Sequence, residues 1–150
     1  MNVADIDRPL NEKGIQNSYL IAQRFAKRYP KPELIISSPA CRALHTAIIF
    51  ARVAGVSEKK IELSLPIYEC SSMELLKIIA LVPDSFNELM VFGHNSTFTE
   101  VSNMFLDNII DNLPTSGITS LTFETNDWNI AYKTPIRTYV DYPKNDKFAV

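Results

Sequence analysis

The chain has 150 residues, of which 46% are hydrophobic and 21% are charged, as expected for one ordinary domain with a buried core. Its net charge of −2 and its pI near 5.7 give no positive field, so neither nucleic acid nor an anionic membrane is an expected partner. No apolar stretch approaches the roughly 20 residues that span a bilayer. The opening MNVADIDRPL lacks the apolar core of a signal peptide, so we expect a cytoplasmic protein.

The first third of the chain is predicted to form a helix, a strand and a second helix. Asn11 is a suitable cap for a helix over 12–29, where apolar residues recur at helical spacing before two prolines. The apolar ELIIS, 33–37, is too short for a helix and is typical of a buried strand. Ser38 as the N-cap, followed by a proline at the first helical position, then begins a helix that ends at Gly55.

The middle third repeats this order of elements. IELSLPIY, 61–68, is predicted to be a second strand at the edge of the sheet, because Pro66 cannot donate to a hydrogen-bond ladder. A helix over 72–81 and a short apolar strand over 88–92 follow. The sequence then passes through G-H-N directly into another helix.

The last third has a different pattern, in which polar and apolar residues alternate. SLTFE, 120–124, and WNIAYK, 128–133, flank the turn residues Asn126 and Asp127 and predict a β-hairpin. Strands that alternate with helices imply a mostly parallel sheet with helices on both faces, here with the hairpin as an antiparallel edge. We therefore expect one α/β domain over residues 1–150, with three layers in the order α/β/α.

Two polar segments follow predicted strands, and ligands in open α/β folds lie beyond the carboxyl ends of strands. S-S-P-A-C-R places Arg42 in the first turn of a helix, where a guanidinium and unpaired N–H groups favour a phosphate. G-H-N places His94 at a strand tip between Gly93 and Asn95, so its imidazole should point out of the strand end. An ion-paired surface arginine and a structural histidine are the plain alternatives.

Three further positions are candidates for the same site. Arg8, in DIDRPL, lies on a polar loop beside two aspartates that offer local salt bridges instead. Thr115, Ser116 and Gly117 form a turn before a strand and could donate hydrogen bonds to an anion, although other connecting loops look the same. Glu69 closes the second predicted strand and is either a general acid or an ordinary solvated carboxylate.

Spacing excludes other kinds of site. Cys41 and Cys70 show no C-x-x-C pattern, so neither a zinc site nor a disulfide framework is expected, and no metal or cofactor is implied. Ala47 stands six residues after Cys41, where a cysteine phosphatase needs arginine. Neither G-x-x-x-x-G-K nor G-x-S-x-G occurs in the chain.

Taken together, D-x-D-R-P-L, S-S-P-x-x-R-x-x-x-T-A, G-H-N and L-P-T-S-G resemble the histidine phosphatase superfamily, which has the phosphoglycerate mutase-like fold. Within it, the motifs are similar to those of the SixA-type phosphohistidine phosphatases, over most of the chain. The resemblance implies that Arg42, His94 and Arg8 hold the phosphoryl group and that Arg42 and His94 take part in catalysis. It implies no role for His45, where the family often has glutamine.

The resemblance also implies a missing part. In the family the attacking histidine lies in an R-H-G or R-H-A motif at the end of the first strand, which is central in the sheet. This chain has two histidines, His45 and His94, and both lie in later segments. We therefore expect a sequence that is shortened at its amino-terminal side and lacks this strand, with a natural remnant as the alternative.

Two functions follow from these expectations. The complete protein is expected to hydrolyse phosphohistidine or another phosphoric monoester through a phosphohistidine intermediate. A phosphorylated protein side chain is the favoured substrate over a small phosphoester, because the 52 positions between Arg42 and His94 leave little room for a lid. The chain by itself should be nearly inactive. The alternative is a module that binds phosphate or phosphorylated partners without turnover, and the sequence indicates no oligomeric state.

Overall fold

Helices and strands alternate along most of the described residues, and two strands come last among them. The structure is a computed structural model that describes residues 3–145. Its helices are α1 (Glu12–Arg28), α2 (Cys41–Ala54), α3 (Ser72–Ala80) and α4 (Thr97–Phe105). Its strands are β1 (Leu34–Ser37), β2 (Ile61–Leu63), β3 (Leu89–Phe92), β4 (Ile118–Thr122) and β5 (Arg137–Asp141). Short 3-10 turns occupy Asp5–Asp7, Glu58–Lys60 and Leu65–Ile67.

The ends of the helices follow from local chemistry. The side chain of Asn11 accepts a hydrogen bond from the Gly14 N–H at 2.8 Å, which confirms the predicted cap of α1. Helix α2 ends at Gly55, whose φ of 73° is the left-handed conformation that favours glycine. Ser71 and Glu74 form a reciprocal capping box at the start of α3. These caps fix the points at which the connecting loops leave the helices.

The start of α2 differs from the prediction. The helix begins at Cys41 with Ala40 as its N-cap, so the predicted N-cap Ser38 lies before the helix. The reason is that the Ser38 N–H donates to the carbonyl of Phe92 at 2.9 Å, which keeps this residue at the end of the sheet. The Ser38 Oγ accepts a hydrogen bond from the Ala40 N–H at 3.2 Å within the turn. Arg42 is in the first helical turn, as predicted.

Three parallel strands form the main sheet, in the order β2-β1-β3. Strand β1 pairs along its length with β3, from Leu34 opposite Leu89 to Ser37 opposite Phe92. On its other side β1 pairs with β2. All four residues of β1 are buried, because the strand has neighbours on both sides and helices on both faces. The predicted parallel sheet is confirmed.

Helices cover both faces of this sheet. Ile35 and Met90 of the sheet pack against Ala47 of α2 on one face. Ile36 lies in a cluster with Leu75 of α3 on the other face. Consecutive residues of a strand point to opposite faces, so the alternation along β1 separates the two clusters. This arrangement confirms the three-layer α/β/α fold.

The second predicted strand is shorter than 61–68. Strand β2 ends at Leu63, and the following Leu65–Ile67 form a 3-10 turn. Pro66 lies inside that turn and has no N–H to donate, so the ladder stops before it. The edge position of β2 is as predicted.

The predicted hairpin has the wrong second strand. Strand β4 pairs antiparallel with β5 along its length, whereas 128–133 contain bends and turns. Trp128 donates its Nε1–H to the carbonyl of Phe86 at 3.0 Å, and Ile130 is buried in the cluster below the main sheet. The alternating pattern of WNIAYK therefore reflects a segment that folds back onto the core instead of pairing with β4.

The sequence predicted that the antiparallel pair forms an edge of the parallel sheet. In the structure, β4 and β5 form a sheet of their own. A cleft of about 1080 Å³ lies between β3 and β4. Within residues 3–145, β3 pairs only with β1 and β4 pairs only with β5. The antiparallel pair is thus separated from the main sheet by this cleft.

Candidate phosphate-binding site

The carboxyl ends of β1 and β3 meet at one edge of the main sheet. Ser37, the last residue of β1, lies opposite Phe92, the last residue of β3. Because the two strands end in register, Ser38 and His94 leave the sheet side by side. In open α/β sheets this edge is where ligands bind.

His94 is held between two polar partners. Its Nε2 lies 2.8 Å from Ser38 Oγ, and its Nδ1 lies 3.3 Å from Arg42 Nη2. A guanidinium can only donate, so Nδ1 accepts and a neutral imidazole carries its proton on Nε2, which donates to Ser38. The imidazole also meets the ring of Tyr68 edge-on, with 5.4 Å between centroids. These contacts fix both the position and the tautomer of His94.

The electrostatics of the site favour neutral His94. Burial lowers the pKa of His94, and the positive charge of Arg42 lowers it further, against an opposing effect of Asp5. The site therefore combines an uncharged imidazole with a permanently charged guanidinium.

Arg42 points towards a carboxylate that the protein itself supplies. Its Nη1 donates to the carbonyl oxygen of Asp5 at 2.8 Å, and its Nη2 lies 3.2 Å from Asp5 Oδ2. The Tyr68 hydroxyl donates to the same Oδ2 at 2.5 Å. The hydrogen bond from Tyr68 and the interactions with Arg42 hold the pKa of Asp5 below its usual range. An anionic oxygen thus already lies in front of the guanidinium.

Asp5 and Tyr68 are members of the cluster that sequence reasoning missed. The sequence assigns Asp5 only to a local salt bridge near Arg8, yet its partner Arg42 is 37 positions away. Tyr68 directly precedes the candidate Glu69, but no pattern distinguishes it from an ordinary core aromatic residue. The one available signal was Asp5 itself, the first aspartate of D-x-D-R-P-L. This motif lies in a loop away from the predicted strand ends, so the sequence did not group Asp5 with Arg42 and His94.

Gly93 is required by close packing before His94. A Cβ at Gly93 would lie 2.3 Å from the ring of Phe98 and 2.9 Å from the side chain of Ile67. Any side chain at this position would displace Phe98 or shift the backbone that carries His94. The glycine of G-H-N therefore helps to set where the imidazole lies.

Arg8 and Glu69 lie outside this cluster. In the described part of the chain, neither makes a hydrogen bond or an ion pair with Arg42 or His94, and both are exposed. The charge of Arg8 contributes to the lowered pKa of Asp5, after the effects of the residues that bond to it. Glu69 has a φ of 65°, which is uncommon for a residue other than glycine. The structure therefore brings Arg42 and His94 together, and Arg8 and Glu69 lie nearby without a hydrogen bond or an ion pair to either.

Ser116 lines the same cleft as Arg42 and His94. Its Oγ lies 3.1 Å from the Oγ of Ser18 on α1, and its φ of 66° is left-handed. The turn is tight, since a Cβ on Gly117 would lie 2.8 Å from a backbone carbonyl oxygen. Ser116 therefore lies on the opposite wall of the cleft from β3, with its hydroxyl bonded to α1.

The site offers hydrogen-bond donors, which suit an anion, and not the group of ligands that a metal ion requires. Among residues 3–145, no three His, Cys, Asp or Glu side chains are grouped so that they could hold a metal ion. Over the same range, every helix is too short or too polar to cross a membrane. Cys41 is exposed, Cys70 is buried, and both are free thiols.

This chain is similar to known proteins in sequence and in fold. The family model described as the histidine phosphatase superfamily (branch 1) matches residues 3–72. A search of curated protein sequences gives no significant match. Among solved structures, the SixA protein of Agrobacterium tumefaciens is 30% identical, with 78% of each chain covered and a TM-score of 0.68.

Two further SixA structures resemble the fold. The one from Nakamurella multipartitia has a TM-score of 0.81 and 19% identity, and the match covers 97% of this chain and 90% of that chain. A protein histidine phosphatase SixA complexed with tungstate has a TM-score of 0.77 and 18% identity, over 95% of this chain and 89% of that one. These two likenesses confirm the phosphoglycerate mutase-like fold. The 30% identity to the Agrobacterium protein, over 78% of each chain, establishes that this chain belongs to the histidine phosphatase superfamily.

Proposed function

We propose that this chain is the phosphate-binding portion of a phosphatase that moves a phosphoryl group first to a histidine and then to water. Its proposed substrate is phosphohistidine or another phosphorylated protein side chain. The observation that carries the proposal is the 3.3 Å approach of the Arg42 guanidinium to the His94 imidazole at the carboxyl edge of the sheet. Membership of the superfamily supports the reaction class.

A phosphate suits this cluster for electrostatic reasons. Arg42 lies in the first turn of α2, where unpaired N–H groups add partial positive charge. The carboxylate of Asp5 already accepts hydrogen bonds from Arg42 and Tyr68. A phosphoryl oxygen that replaced this carboxylate would meet the same donors, and charge-assisted hydrogen bonds of this kind are strong. The SixA structure complexed with tungstate, an oxyanion, supports an oxyanion site in this family.

His94 does not have the geometry of the attacking group. The lone pair of its Nδ1 faces Arg42, and its Nε2 carries the proton donated to Ser38, so neither nitrogen presents a lone pair to the cleft. His45, the other histidine of the sequence, lies on α2 away from the lining of the cleft. We infer that the attacking histidine belongs to the R-H-G or R-H-A motif that the resemblance implies, on a strand that this sequence does not contain.

The proposed reaction has two steps. The attacking imidazole nitrogen forms a bond to phosphorus while the bond from phosphorus to the leaving group breaks, and the leaving group takes a proton. Water then attacks phosphorus, the N–P bond breaks, and inorganic phosphate leaves. In both steps Arg42 stabilises the charge on the transferred oxygens. Arg8 and Ser116 are proposed as additional phosphate donors, and Glu69 as the group that protonates the leaving group.

The openness of the site supports a protein side chain as substrate. The side chain of Arg42 is 29% exposed and that of Asp5 is 51% exposed. The 52 positions between Arg42 and His94 are used by the elements of the core, which leaves no inserted lid in this stretch. A phosphorylated residue on another protein can therefore approach the guanidinium directly, and a small phosphoester is the second substrate class.

Tungstate binding tests the site without requiring turnover. We expect Arg42→Ala to weaken binding about ten- to a hundredfold, because a hydrogen bond to a charged group contributes about 1.5–3 kcal/mol. His94→Ala should weaken it less. Arg52→Ala is the matched control, since Arg52 lies on the same helix but pairs with Glu58 at 2.8 Å. Isothermal titration calorimetry measures the affinities, and unchanged values in both site variants would refute the assignment.

A second function is favoured by one observation. Both ring nitrogens of His94 are engaged, so His94 and Arg42 can hold an oxyanion while His94 presents no lone pair to attack phosphorus. A module that recognises phosphate or phosphorylated partners without turnover needs nothing more.

Release of phosphate from a phosphohistidine peptide separates the two functions. A variant with an apolar strand ending in Arg-His ahead of Met1 should release phosphate, and the chain without this extension should not. The same extension ending in Arg-Ala is the control. If the Arg-His variant binds tungstate but gains no activity, the binding module is the better description.

A further inference from the structure

Two exposed leucines flank Ser64 at the carboxyl edge of the main sheet. Leu63, the last residue of β2, is 58% exposed, and Leu65 is 64% exposed. The backbone of Ser64 is extended, with a φ of −130° and a ψ of 100°, so the two leucine side chains point to the same side of the chain. Single exposed apolar residues are common on protein surfaces, but neighbours that share a side form a patch. We call Leu63 and Leu65 the leucine pair.

The end of β2 is connected through β1 to the phosphate site that Arg42 and His94 form. The Ser64 N–H donates to the carbonyl of Ser37 at 2.8 Å. Ser37 directly precedes Ser38, whose hydroxyl lies 2.8 Å from the imidazole of His94. In the sheet order β2-β1-β3, about 10 Å separates the end of β2 from the end of β3, which His94 follows. An extended chain of about three residues spans this distance.

A second connection between the leucine pair and the phosphate site runs through Tyr68. Its N–H donates to the carbonyl of Leu65 at 3.0 Å, which closes the 3-10 turn Leu65–Ile67. Its ring meets the imidazole of His94 edge-on, and its hydroxyl donates to Asp5. The leucine pair, Tyr68 and the phosphate site therefore adjoin one another at one edge of the sheet.

Leu63 also lies on the face of the sheet that is covered by the helix carrying Arg42. Ile61 packs with Ala47 of α2, and Leu63, two residues further along β2, points to the same face. Helix α2 begins at the carboxyl edge, with Arg42 in its first turn. Leu63 and Arg42 thus share both a face and an edge of the sheet. The cleft between β3 and β4 lies on the other side of β1, and neither leucine lines it.

The openness of the phosphate site determines what can cover the leucine pair. The side chain of Arg42 is 29% exposed, so a phosphorylated residue can reach it from the surface of another protein. The segment around that residue then lies against the rim of the site, which includes the leucine pair. Contact with an apolar side chain of that segment removes both apolar surfaces from water. Glu62 and Glu69, exposed on the same rim, disfavour an acidic segment.

We propose that the leucine pair is a docking surface for the phosphorylated protein substrate and binds an apolar side chain about three residues from the phosphorylated one. The inference rests on the proposed function and adds to it the class of sequence that the site prefers, a non-acidic segment with an apolar residue on the β2 side. Arg42 binds the phosphoryl group, and Leu63 and Leu65 select its surroundings.

The binding of two peptides tests the proposal. Both carry phosphoryltriazolylalanine, a stable analogue of phosphohistidine, and the second and third positions on each side of it are leucine in one peptide and serine in the other. We expect the chain to bind the leucine peptide at least about tenfold more tightly, as measured by fluorescence anisotropy. In the double variant Leu63→Ser, Leu65→Ser, both peptides should bind with the affinity of the serine peptide. Tungstate should bind the double variant unchanged, because it is too small to reach from Arg42 to the leucine pair.

Leu81→Ser is the matched control. Leu81 is 84% exposed and ends α3, which returns from the carboxyl edge of the sheet to the opposite edge before β3 begins. An equal preference for leucine in the double variant would overturn the inference.

The other outcomes separate this inference from the proposed function. If tungstate binds and the leucine peptide is not preferred, the proposed function stands and the docking surface is refuted. If tungstate does not bind the unmodified chain, both are refuted. A dimer that analytical ultracentrifugation detects for the unmodified chain, and that the double variant abolishes, would mean that a second copy covers the leucine pair and would overturn the inference as well.

Discussion

Strands β1 and β3 have the same length and a similar composition, yet they are buried to different degrees. All four residues of β1, LIIS, are buried, whereas all four residues of β3, LMVF, are only half-buried. Both strands have helices on both faces and are paired to each other residue by residue. In residues 3–145, β1 has two neighbouring strands and β3 has one. The burial of a strand therefore depends on what lies beside it as much as on its own residues.

The same contrast applies to the two sides of β3 beside Arg42 and His94, which we call the closed flank, towards β1, and the open flank, towards the cleft. On the flank towards β1, His94 is bonded to the buried Ser38. On the flank towards the cleft, Ser116 lies across a gap and is bonded to Ser18 instead. We expect the closed flank to contribute most of the stability and the open flank to respond most to ligands.

The largest expected effect compares two residues that lie opposite each other in the β1–β3 ladder. Ile35 is fully buried and its partner Met90 is half-buried. Ile35→Ala should lower the free energy of unfolding by about 3 kcal/mol, and Met90→Ala by about 1 kcal/mol, because a site in contact with solvent leaves less of a cavity. Urea unfolding followed by circular dichroism measures both values. Equal losses would mean that β3 is as well buried as β1 and would break the comparison.

The next effect compares serines on the two flanks. The Ser38 Oγ accepts hydrogen bonds from the Ala40 N–H and from His94, so Ser38→Ala leaves two donors without a partner and should cost about 1–3 kcal/mol. Ser116→Ala removes only the pair with Ser18 and should cost about 0.5–1 kcal/mol. Thermal unfolding of the two variants gives the order. A larger loss for Ser116→Ala would show that the open flank contributes more than the closed one.

A smaller effect is expected from the carboxylate that faces Arg42. Asp5→Asn removes a negative charge that a bound anion must displace, so it should raise the affinity for tungstate about two- to fivefold, as for an exposed ion pair. Asp7→Asn is the matched control, because Asp7 lies in the same 3-10 turn and is exposed. Calorimetric titration measures both. A weaker affinity of the Asp5→Asn variant would mean that Asp5 helps to hold the anion instead of competing with it.

The smallest effect concerns the pH dependence of stability. Because burial lowers the pKa of His94 from 6.5, the unfolded chain binds more protons than the folded one as the pH falls below 6.5. His94 therefore reduces stability as the pH falls from 6.5 towards its folded pKa, and His94→Gln should flatten this part of the profile. Thermal unfolding at pH values on both sides of 6.5 measures the slope. An unchanged slope would mean that His94 is exposed enough to titrate normally.

Local sequence signals were sufficient for most helix ends and for two of the three parallel strands, β1 and β3. The cap at Asn11, the stop at Gly55 and the apolar runs that became β1 and β3 depend on interactions within a few residues. The topological rule that strand ends meet at one edge was enough to group Arg42 with His94. Their contact at 3.3 Å follows from two strands that end in register.

Only the tertiary structure decided which distant segments meet. The segments 128–133 and 137–141 both follow β4, and pairing with the second leaves Trp128 free to bond to Phe86. Asp5 reaches Arg42 because the first loop passes over the start of α2, a contact that no local pattern encodes. The apolar residues of β3 predicted a strand, but the open cleft beside it is a property of two sheet edges far apart in the chain. Periodicity and caps act over a few residues, whereas strand neighbours and ion pairs depend on how the whole chain packs.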